Sequence, residues 1–151
     1  MKPHKYSRQP LLLILLLTLL PIASKAETYV PKNPKSDEAL LNASMSALDL
    51  FMQAGRTQDI YNAARWMSEY DIYPPRAINR SQMLLKKNRQ TFETYLSVKE
   101  DVYGYEISKS PLRTKVHIEG AIQTEGGFTG EYSATLIYKY QRWRIKSIDI
   151  D

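Results

Sequence analysis

The residues best suited to acid–base or metal chemistry are His117 and Glu119, which lie two positions apart in a β-rich run. Residues two apart share one face of a strand, so the imidazole and the carboxylate would be neighbours. Such a pair supplies at most two metal ligands, whereas zinc sites use three or four, and the other histidine, His4, lies near the amino terminus. We therefore predict no metal site and interpret the pair as part of a solvated strand face.

Asp71 is the second candidate, because a carboxylate close to Tyr61 and Tyr70 could act as a base beside phenols. The same aspartate stands shortly before Pro74 and Pro75, and aspartate is common in turns, where its side chain bonds to nearby backbone. We favour the turn interpretation and keep the acid–base site as the alternative.

Aromatic residues form a third group that could contact a ligand. The chain contains 11 tyrosines and 2 tryptophans, enough to line a pocket for a small apolar molecule. We favour ordinary packing against a sheet, since strand propensity alone enriches tyrosine. If there is a pocket, the predicted contact residues are Tyr61, Asp71, Tyr105, Tyr132, Tyr138 and Trp143.

Basic residues form the fourth group, concentrated between Arg76 and Lys99 and in the carboxy-terminal run. A basic face built from these segments could dock an acidic protein or the anionic cell envelope. The alternative is a set of solvated side chains that pair with acidic residues of the first helices. The residues predicted to form the basic face are Lys86, Lys87, Arg89, Arg144 and Lys146.

Residues 1–26 have the pattern of a secretory signal peptide. A basic start precedes an apolar run from Leu11 to Leu20, and small residues stand at Ser24 and Ala26. The apolar run is shorter than the roughly 18 residues of a membrane span, so we predict cleavage after Ala26. The mature chain is then expected in the periplasm or outside the cell, with no transmembrane span.

Loss of this segment changes the charge and leaves one domain. Removing its four basic residues from the 21 in the chain leaves 17 against 16 acidic residues, a net charge of +1, which does not favour nucleic-acid binding. The absence of cysteine excludes disulfides, thiolate catalysis and thiolate metal sites. No phosphate-binding glycine loop or nucleophile elbow is present, and no cofactor is predicted. We expect a flexible lead-in at residues 27–36 and a single domain at residues 37–151.

Three helices and a set of strands must position these groups. Apolar residues at helical spacing predict a first helix with its cap at Asp37 and its stop at Gly55, a second at residues 58–70 and a third at residues 79–98. The Pro74-Pro75 step separates the second helix from the third, because proline cannot continue a helix.

Alternation of apolar and polar residues then predicts an antiparallel meander of four strands. The strands are residues 103–108 and 112–124, followed by a hairpin of residues 128–140 and 143–151 with its turn at Gln141-Arg142 and a bulge near Ser147. Four groups fall opposite the apolar residues and are expected to face away from the helices: Glu106, His117, Glu119 and Glu131. This placement counts against acid–base chemistry in the interior, and the alternative is a bulge at Gly104 or Gly120 that reverses the parity and turns His117 or Glu119 inward. Helices grouped before an antiparallel sheet predict an α+β fold with the helices on one face.

The element order and the segment from Tyr138 to Ile148, with its Trp143-Arg144-Ile145 centre, resemble the nuclear transport factor 2-like superfamily. That resemblance covers about residues 37–150 and implies a cone-shaped α+β fold. The superfamily includes ketosteroid isomerase and SnoaL-type cyclases as well as non-catalytic binding and assembly modules, so it does not choose a function. Many members place a short strand between the second and third helices, and here only residues 71–73 could supply it.

These observations favour an exported, non-catalytic binding or assembly module with a protein partner in the envelope or outside the cell. Contact would run through the open sheet face, which could also form a homodimer, or through the basic third helix. The alternative is a small-molecule pocket protein, such as an isomerase- or cyclase-like enzyme using Tyr61, Asp71 and Tyr105. An interior filled by aromatic residues would disfavour catalysis, whereas a polar cavity reaching Asp71 or His117 would favour it.

Overall fold

A computed structural model describes residues 36–127 and 129–151, with only the backbone described at residues 101–103 and 129. The predicted signal peptide, and the predicted lead-in up to residue 35, lie outside the described residues. The described part is α+β, as predicted, with the helices first and an antiparallel sheet after them. The elements are α1 (Asp37–Arg56), α2 (Ile60–Ala64), α3 (Pro74–Lys87), α4 (Arg89–Glu93), β1 (Tyr95–Ser110), β2 (Arg113–Thr124), a 3-10 turn (Glu125–Gly127), β3 (Thr129–Lys139) and β4 (Arg142–Ile150).

Helix α1 is the long element of the helical layer. Its cap is Ser36, whose hydroxyl accepts from the backbone N–H of Ala39 at 3.2 Å, so the predicted cap at Asp37 was one residue late. Asp37 instead lies in the first turn, where a negative charge interacts favourably with the helix dipole. The helix buries a continuous stripe of apolar residues, including Leu48, Phe51 and Met52, against the sheet.

Gly55 does not stop α1, contrary to the prediction, because the helix continues to Arg56. The reason for glycine at this position is contact with another helix. The ring of Phe92 in α4 occupies the space that a Cβ atom at position 55 would fill. Phe92 also packs edge-on against Phe51, with ring centroids 5.9 Å apart.

The second predicted helix is much shorter than expected. Helix α2 is capped by Asp59, which accepts from the N–H of Asn62 at 3.0 Å, and it ends at Ala64. The chain then leaves the helix because its backbone pairs with β4: the N–H of Ile145 donates to Trp66 O at 2.7 Å, and the N–H of Ser68 donates to Ile145 O at 2.9 Å. A tertiary contact thus overrides a local helical pattern.

The third predicted helix begins earlier and ends earlier than expected. Helix α3 starts at Pro74-Pro75 rather than Asn79, since proline is well suited to the first turn, where no N–H is needed. After α3 the short α4 ends at Glu93, and β1 already begins at Tyr95. The predicted third helix to about residue 98 therefore corresponds to parts of α3, all of α4 and the start of β1.

The sheet is a meander of four strands in the order β1-β2-β3-β4. The β3–β4 turn is Tyr140-Gln141, both with positive φ (50° and 60°), as type I′ turns require, so the predicted turn was one residue late. Thr135 pairs with Ser147 while Leu136 pairs with Ile145, so an extra residue is inserted at position 146. The bulge predicted near Ser147 is confirmed.

The two faces of the sheet differ in character. The face that packs on α1, here called the inner face, carries buried Val116, Ile118, Leu136 and Ile145. The opposite face, here called the outer face, is polar. As predicted, it carries the exposed side chains of Glu106, Glu119 and Glu131 and the half-exposed side chain of His117.

Candidate functional site

The interior on the inner face is filled by large apolar side chains. Tyr132, Leu136 and Trp143 are buried, and the rings of Tyr138 and Trp143 pack with centroids 5.5 Å apart. Among the described residues, the buried polar side chains are those of Ser44, Ser81, Thr124 and Arg144. No carboxylate or imidazole is therefore buried in the part of the chain whose side chains the structure describes.

A carboxylate does reach the edge of this interior from α1. Half-buried Asp49 accepts a short hydrogen bond from the hydroxyl of buried Tyr95, at the start of β1. Burial and this bond raise the pKa of Tyr95, so the phenol remains a protonated donor at neutral pH. The pair ties α1 to β1 and leaves Tyr95 without the properties of a catalytic acid.

The residues predicted for an acid–base pocket do not come together. Tyr61 lies on α2 with 73% of its surface exposed, and Tyr105 lies on β1 with 44% exposed. Asp71 contacts Arg144 on β4, which is the opposite edge of the sheet from β1. Three strand spacings separate the two edges by roughly 14 Å, so Tyr105 and Asp71 cannot act on one small substrate.

Asp71 and Arg144 instead form an ion pair with two parallel hydrogen bonds. Arg144 Nε donates to Asp71 Oδ2 at 2.8 Å, and Nη2 donates to Oδ1 at 2.7 Å. Arg144 is 5% exposed, so this residue is buried and paired rather than part of the predicted basic face. The hydrogen bonds from Arg144 lower the pKa of Asp71, which weakens this carboxylate as a base.

His117 lies on the outer face within a small polar cluster. Its Nδ1 is 3.0 Å from the Thr135 hydroxyl oxygen, and its Nε2 is 3.3 Å from Glu119 Oε1. In the described residues, no group of three or more histidine, aspartate or glutamate side chains is arranged to hold a metal. The cluster is a solvent-facing polar network on a strand.

A concave surface follows α3. It is an open groove of about 830 Å³, here called the α3 groove, lined by Glu69, Arg76, Asn79, Arg80, Met83, Leu84 and Lys87. Met83 exposes 73% of its surface and lies beside Leu84 in the groove. Basic side chains at both ends of the groove therefore flank an apolar centre.

Acidic side chains neutralise part of the positive charge that lines the α3 groove. Arg80 Nη1 donates to Glu69 Oε1 at 2.6 Å and to the Lys146 carbonyl at 3.0 Å, which also caps the edge of β4. Lys87 Nζ lies 3.7 Å from Asp149 Oδ1, and both side chains are about two-thirds exposed, so this pair is weak. Arg76 and Lys87 thus remain the charges that a ligand in the groove would meet.

The other residues of the predicted basic face lie on three different elements, α3, α4 and β4. Lys86 is exposed on α3, Lys146 is exposed at the bulge of β4, and exposed Arg89 bonds Glu93 at 2.6 Å. The groove itself was not predicted. The sequence does carry a signal for it, because Met83 and Leu84 lie among basic residues on one helix. That helix begins at Pro74, and the prediction that it begins at Asn79 left Arg76 outside it.

No described helix has the length and apolar character that a membrane crossing requires. No protein-family model matches this chain, and no curated protein is significantly similar to it.

Proposed function

We propose that this chain is an exported, non-catalytic binding module that docks an envelope or secreted protein on the α3 groove. The observation that carries the proposal is the contrast between the two candidate sites. The interior has no buried carboxylate or imidazole among the described residues. The α3 groove, in contrast, combines exposed apolar surface with the basic side chains of Arg76 and Lys87, which no strong ion pair neutralises among the described residues. Export follows from the signal-peptide pattern of residues 1–26.

The geometry of the groove specifies the chemistry of the partner. Arg76 and Lys87 are eleven residues apart on α3, which places them about 16 Å apart along the helix axis. Met83 and Leu84 lie between them. The matching segment carries two acidic residues about 16 Å apart with an apolar anchor between them, spanning about eleven residues if helical and about five if extended. Rim charges of this kind set association rate and specificity, and the buried anchor sets most of the affinity.

We also propose that the fold is a cone-shaped member of the nuclear transport factor 2-like superfamily. The support is helices before a meander, with the segment around Trp143 closing the last hairpin. An experimental structure with a strongly curved sheet wrapped around α1 is the expected result. A flat sheet, or one that superposes better on another α+β family, would contradict this assignment.

The test of the docking proposal is recovery of a partner from an envelope fraction with the mature protein as bait. Arg76→Glu/Lys87→Glu and Met83→Glu should each lower the recovery at least ten-fold, because they remove charge complementarity and the apolar anchor respectively. Arg65→Glu/Lys99→Glu is the matched control, since both residues are exposed basic side chains outside the groove. Equal loss in the control, or no loss in the groove variants, would remove α3 as the docking surface.

A small-molecule function makes a different prediction in the same system. A groove that binds an apolar acid would raise the melting temperature of the wild-type protein in dodecanoate, and Met83→Glu would abolish the rise. That result, with no protein recovered from the envelope fraction, would replace the partner-docking proposal.

A further inference from the structure

Two turns at one end of the sheet expose large apolar side chains. The β1–β2 turn is Pro111-Leu112 and the β3–β4 turn is Tyr140-Gln141. Thr114 of β2 pairs with Tyr138 of β3, so the two turns lie at the same level of the sheet, here called the turn end. Leu112 exposes 96% of its surface and Tyr140 exposes 67%. Two strand spacings separate the two tips by about 10 Å.

Turn chemistry does not explain either of these residues. Turns favour glycine, proline, asparagine, aspartate and serine, whereas Leu112 is apolar and buries almost no surface that would stabilise the fold. Tyr140 has a positive φ of 50°, a conformation that is costly for a bulky residue and that glycine or asparagine adopts more easily. Strain of this kind is found where a residue has a role other than folding. Both tips are therefore candidates for contact with another molecule.

The connection between α2 and α3 adds apolar surface beside the turn end. The ion pair of Asp71 with Arg144 holds this connection against β4, two residues after Arg142 at the base of the β3–β4 turn. Ile72 and Tyr73 follow Asp71 in the chain and expose 73% and 60% of their surfaces. Exposed apolar side chains that are concentrated in one region of a domain indicate a protein or membrane interaction site.

Positive charge accompanies the apolar tips. Lys109 and Arg144, also near this end, are paired with Asp37 and Asp71. Lys139 lies over the Tyr140 ring, with its Nζ 4.6 Å from the ring centroid. Four basic side chains at this end belong to no ion pair among the residues whose side chains the structure describes: Arg113, Lys115, Lys139 and Arg142.

We propose that the turn end docks this protein on an anionic lipid surface. Leu112 enters the boundary between headgroups and acyl chains, and the Tyr140 ring lies at headgroup level, where tyrosine is enriched in membrane proteins. The four basic side chains contact the anionic headgroups. A lipid surface fits better than a protein because the apolar contacts are separate protruding tips, and a bilayer admits such tips without a matching pocket.

This placement leaves the α3 groove accessible. Helix α3 begins at Pro74, directly after the connection beside the turn end, and Lys87 at its other end lies 3.7 Å from Asp149 near the end of β4. The helix is about 21 Å long and therefore leads away from the lipid surface. Docking at the turn end uses a surface other than the α3 groove and does not depend on the proposed function.

Sedimentation with lipid vesicles measures this docking in the mature protein. At about 100 mM NaCl, charges more than about 10 Å from the lipid are largely screened, so the position of a charge decides its effect. The protein should bind vesicles made of equal parts of phosphatidylglycerol and phosphatidylcholine. Binding to vesicles of phosphatidylcholine alone should be at least about ten-fold weaker, because the four basic side chains then lack anionic headgroups.

A charge reversal at the turn end tests the basic contact. Each basic residue close to an anionic bilayer strengthens binding roughly five-fold, so Arg113→Glu/Lys115→Glu should weaken binding to the anionic vesicles at least about twenty-fold. Lys86→Glu/Lys99→Glu is the matched control, because it changes the net charge equally at exposed positions away from the turn end. The control should weaken binding less than about three-fold. Circular dichroism and thermal melts should show that both variants are folded.

A substitution at the tip of the β1–β2 turn tests insertion into the lipid. Leu112→Ser should weaken binding about ten-fold, because partial burial of a leucine side chain contributes roughly that factor. Leu96→Ser changes a 52% exposed leucine on β1 away from the turn end and should leave binding unchanged. Brominated phosphatidylcholine in the anionic vesicles should quench the tryptophan emission of Leu112→Trp more than that of the wild type.

Three results would overturn the proposal. The first is a wild type that does not sediment with the anionic vesicles. The second is an equal loss of binding in the Lys86→Glu/Lys99→Glu control, which would make net charge responsible rather than the turn end. The third is wild-type binding by Leu112→Ser with no added quenching in Leu112→Trp, which would indicate contact through charge alone, as with an acidic protein.

Discussion

The Asp71–Arg144 ion pair should be the most sensitive polar contact in the domain. Removing Asp71 leaves a guanidinium that is 5% exposed without its carboxylate. Breaking such a buried pair from one side costs about 3–5 kcal/mol. Because the Asp71 side chain is itself 19% exposed, water can partly replace it, and we expect Asp71→Ala to cost about 3 kcal/mol. In a domain of this size that lowers the melting temperature by about 12 °C.

Calorimetry of the mature protein measures this change in melting temperature directly, and two variants serve as controls. Glu93→Ala removes the acidic partner of exposed Arg89 and should leave the melting temperature within about 2 °C of the wild type. Asp71→Ala/Arg144→Met removes both charges and should recover most of the stability, because an apolar side chain can fill the site. If Asp71→Ala melts within 2 °C of the wild type, the ion pair does not hold β4 to the connection between α2 and α3.

The pH dependence of the same pair provides an independent check. Hydrogen bonds from Arg144 lower the pKa of Asp71 from its ordinary 3.8. A lowered carboxylate pKa contributes stability that is complete above the pKa of Asp71 in the unfolded chain, 3.8, and is lost as the pH falls through the pKa of Asp71 in the folded protein. The stability gap between wild type and Asp71→Asn should therefore be constant from pH 5 to pH 7 and shrink below pH 4. A gap that widens in acid would contradict the assignment.

Three further substitutions test local features of the fold by thermal denaturation. Gly55→Ala should destabilise by about 1–3 kcal/mol, because the added methyl group overlaps the Phe92 ring, and an unchanged melting temperature would mean that α1 and α4 are further apart. Gln141→Gly should stabilise by about 0.5–1 kcal/mol by relieving a positive φ of 60°, and destabilisation would exclude the type I′ turn. Ser36→Ala should lower the free energy of unfolding by about 1 kcal/mol, because it removes the cap of α1, whereas Asp37→Ala should lower it less. The reverse order would mean that Asp37 is the cap.

Elements whose signals are local were predictable from the sequence. The alternation along β2 and β3 identified the outward carboxylates and His117, and the switch of apolar parity after Ile145 identified the bulge. Elements decided by distant contacts were not. The early end of α2 depends on backbone pairing with Ile145, and the glycine at position 55 depends on Phe92, 37 residues later. Neither contact can be predicted from the residues that neighbour it in the sequence.

The residues of the candidate sites show the same difference between local signals and distant contacts. The basic character of α3 was visible as composition, so Lys86 and Lys87 were assigned to a surface helix, where they lie. Arg144 was placed by alternation on the outer face, and its strand register agrees, but the connection that carries Asp71 covers it. Alternation predicts which face a side chain lies on and does not predict what else packs on that face.

Photo-crosslinking from position 83 tests the central claim most directly. A photoreactive amino acid in place of Met83 samples what the α3 groove contacts in the native envelope, and the same substitution at exposed Arg65 is the control. We predict one discrete protein adduct from position 83 and none from position 65, with the crosslinked peptide carrying acidic residues around an apolar anchor. Adducts of equal yield from both positions, or none from position 83 while the partner is still recovered, would contradict docking on α3.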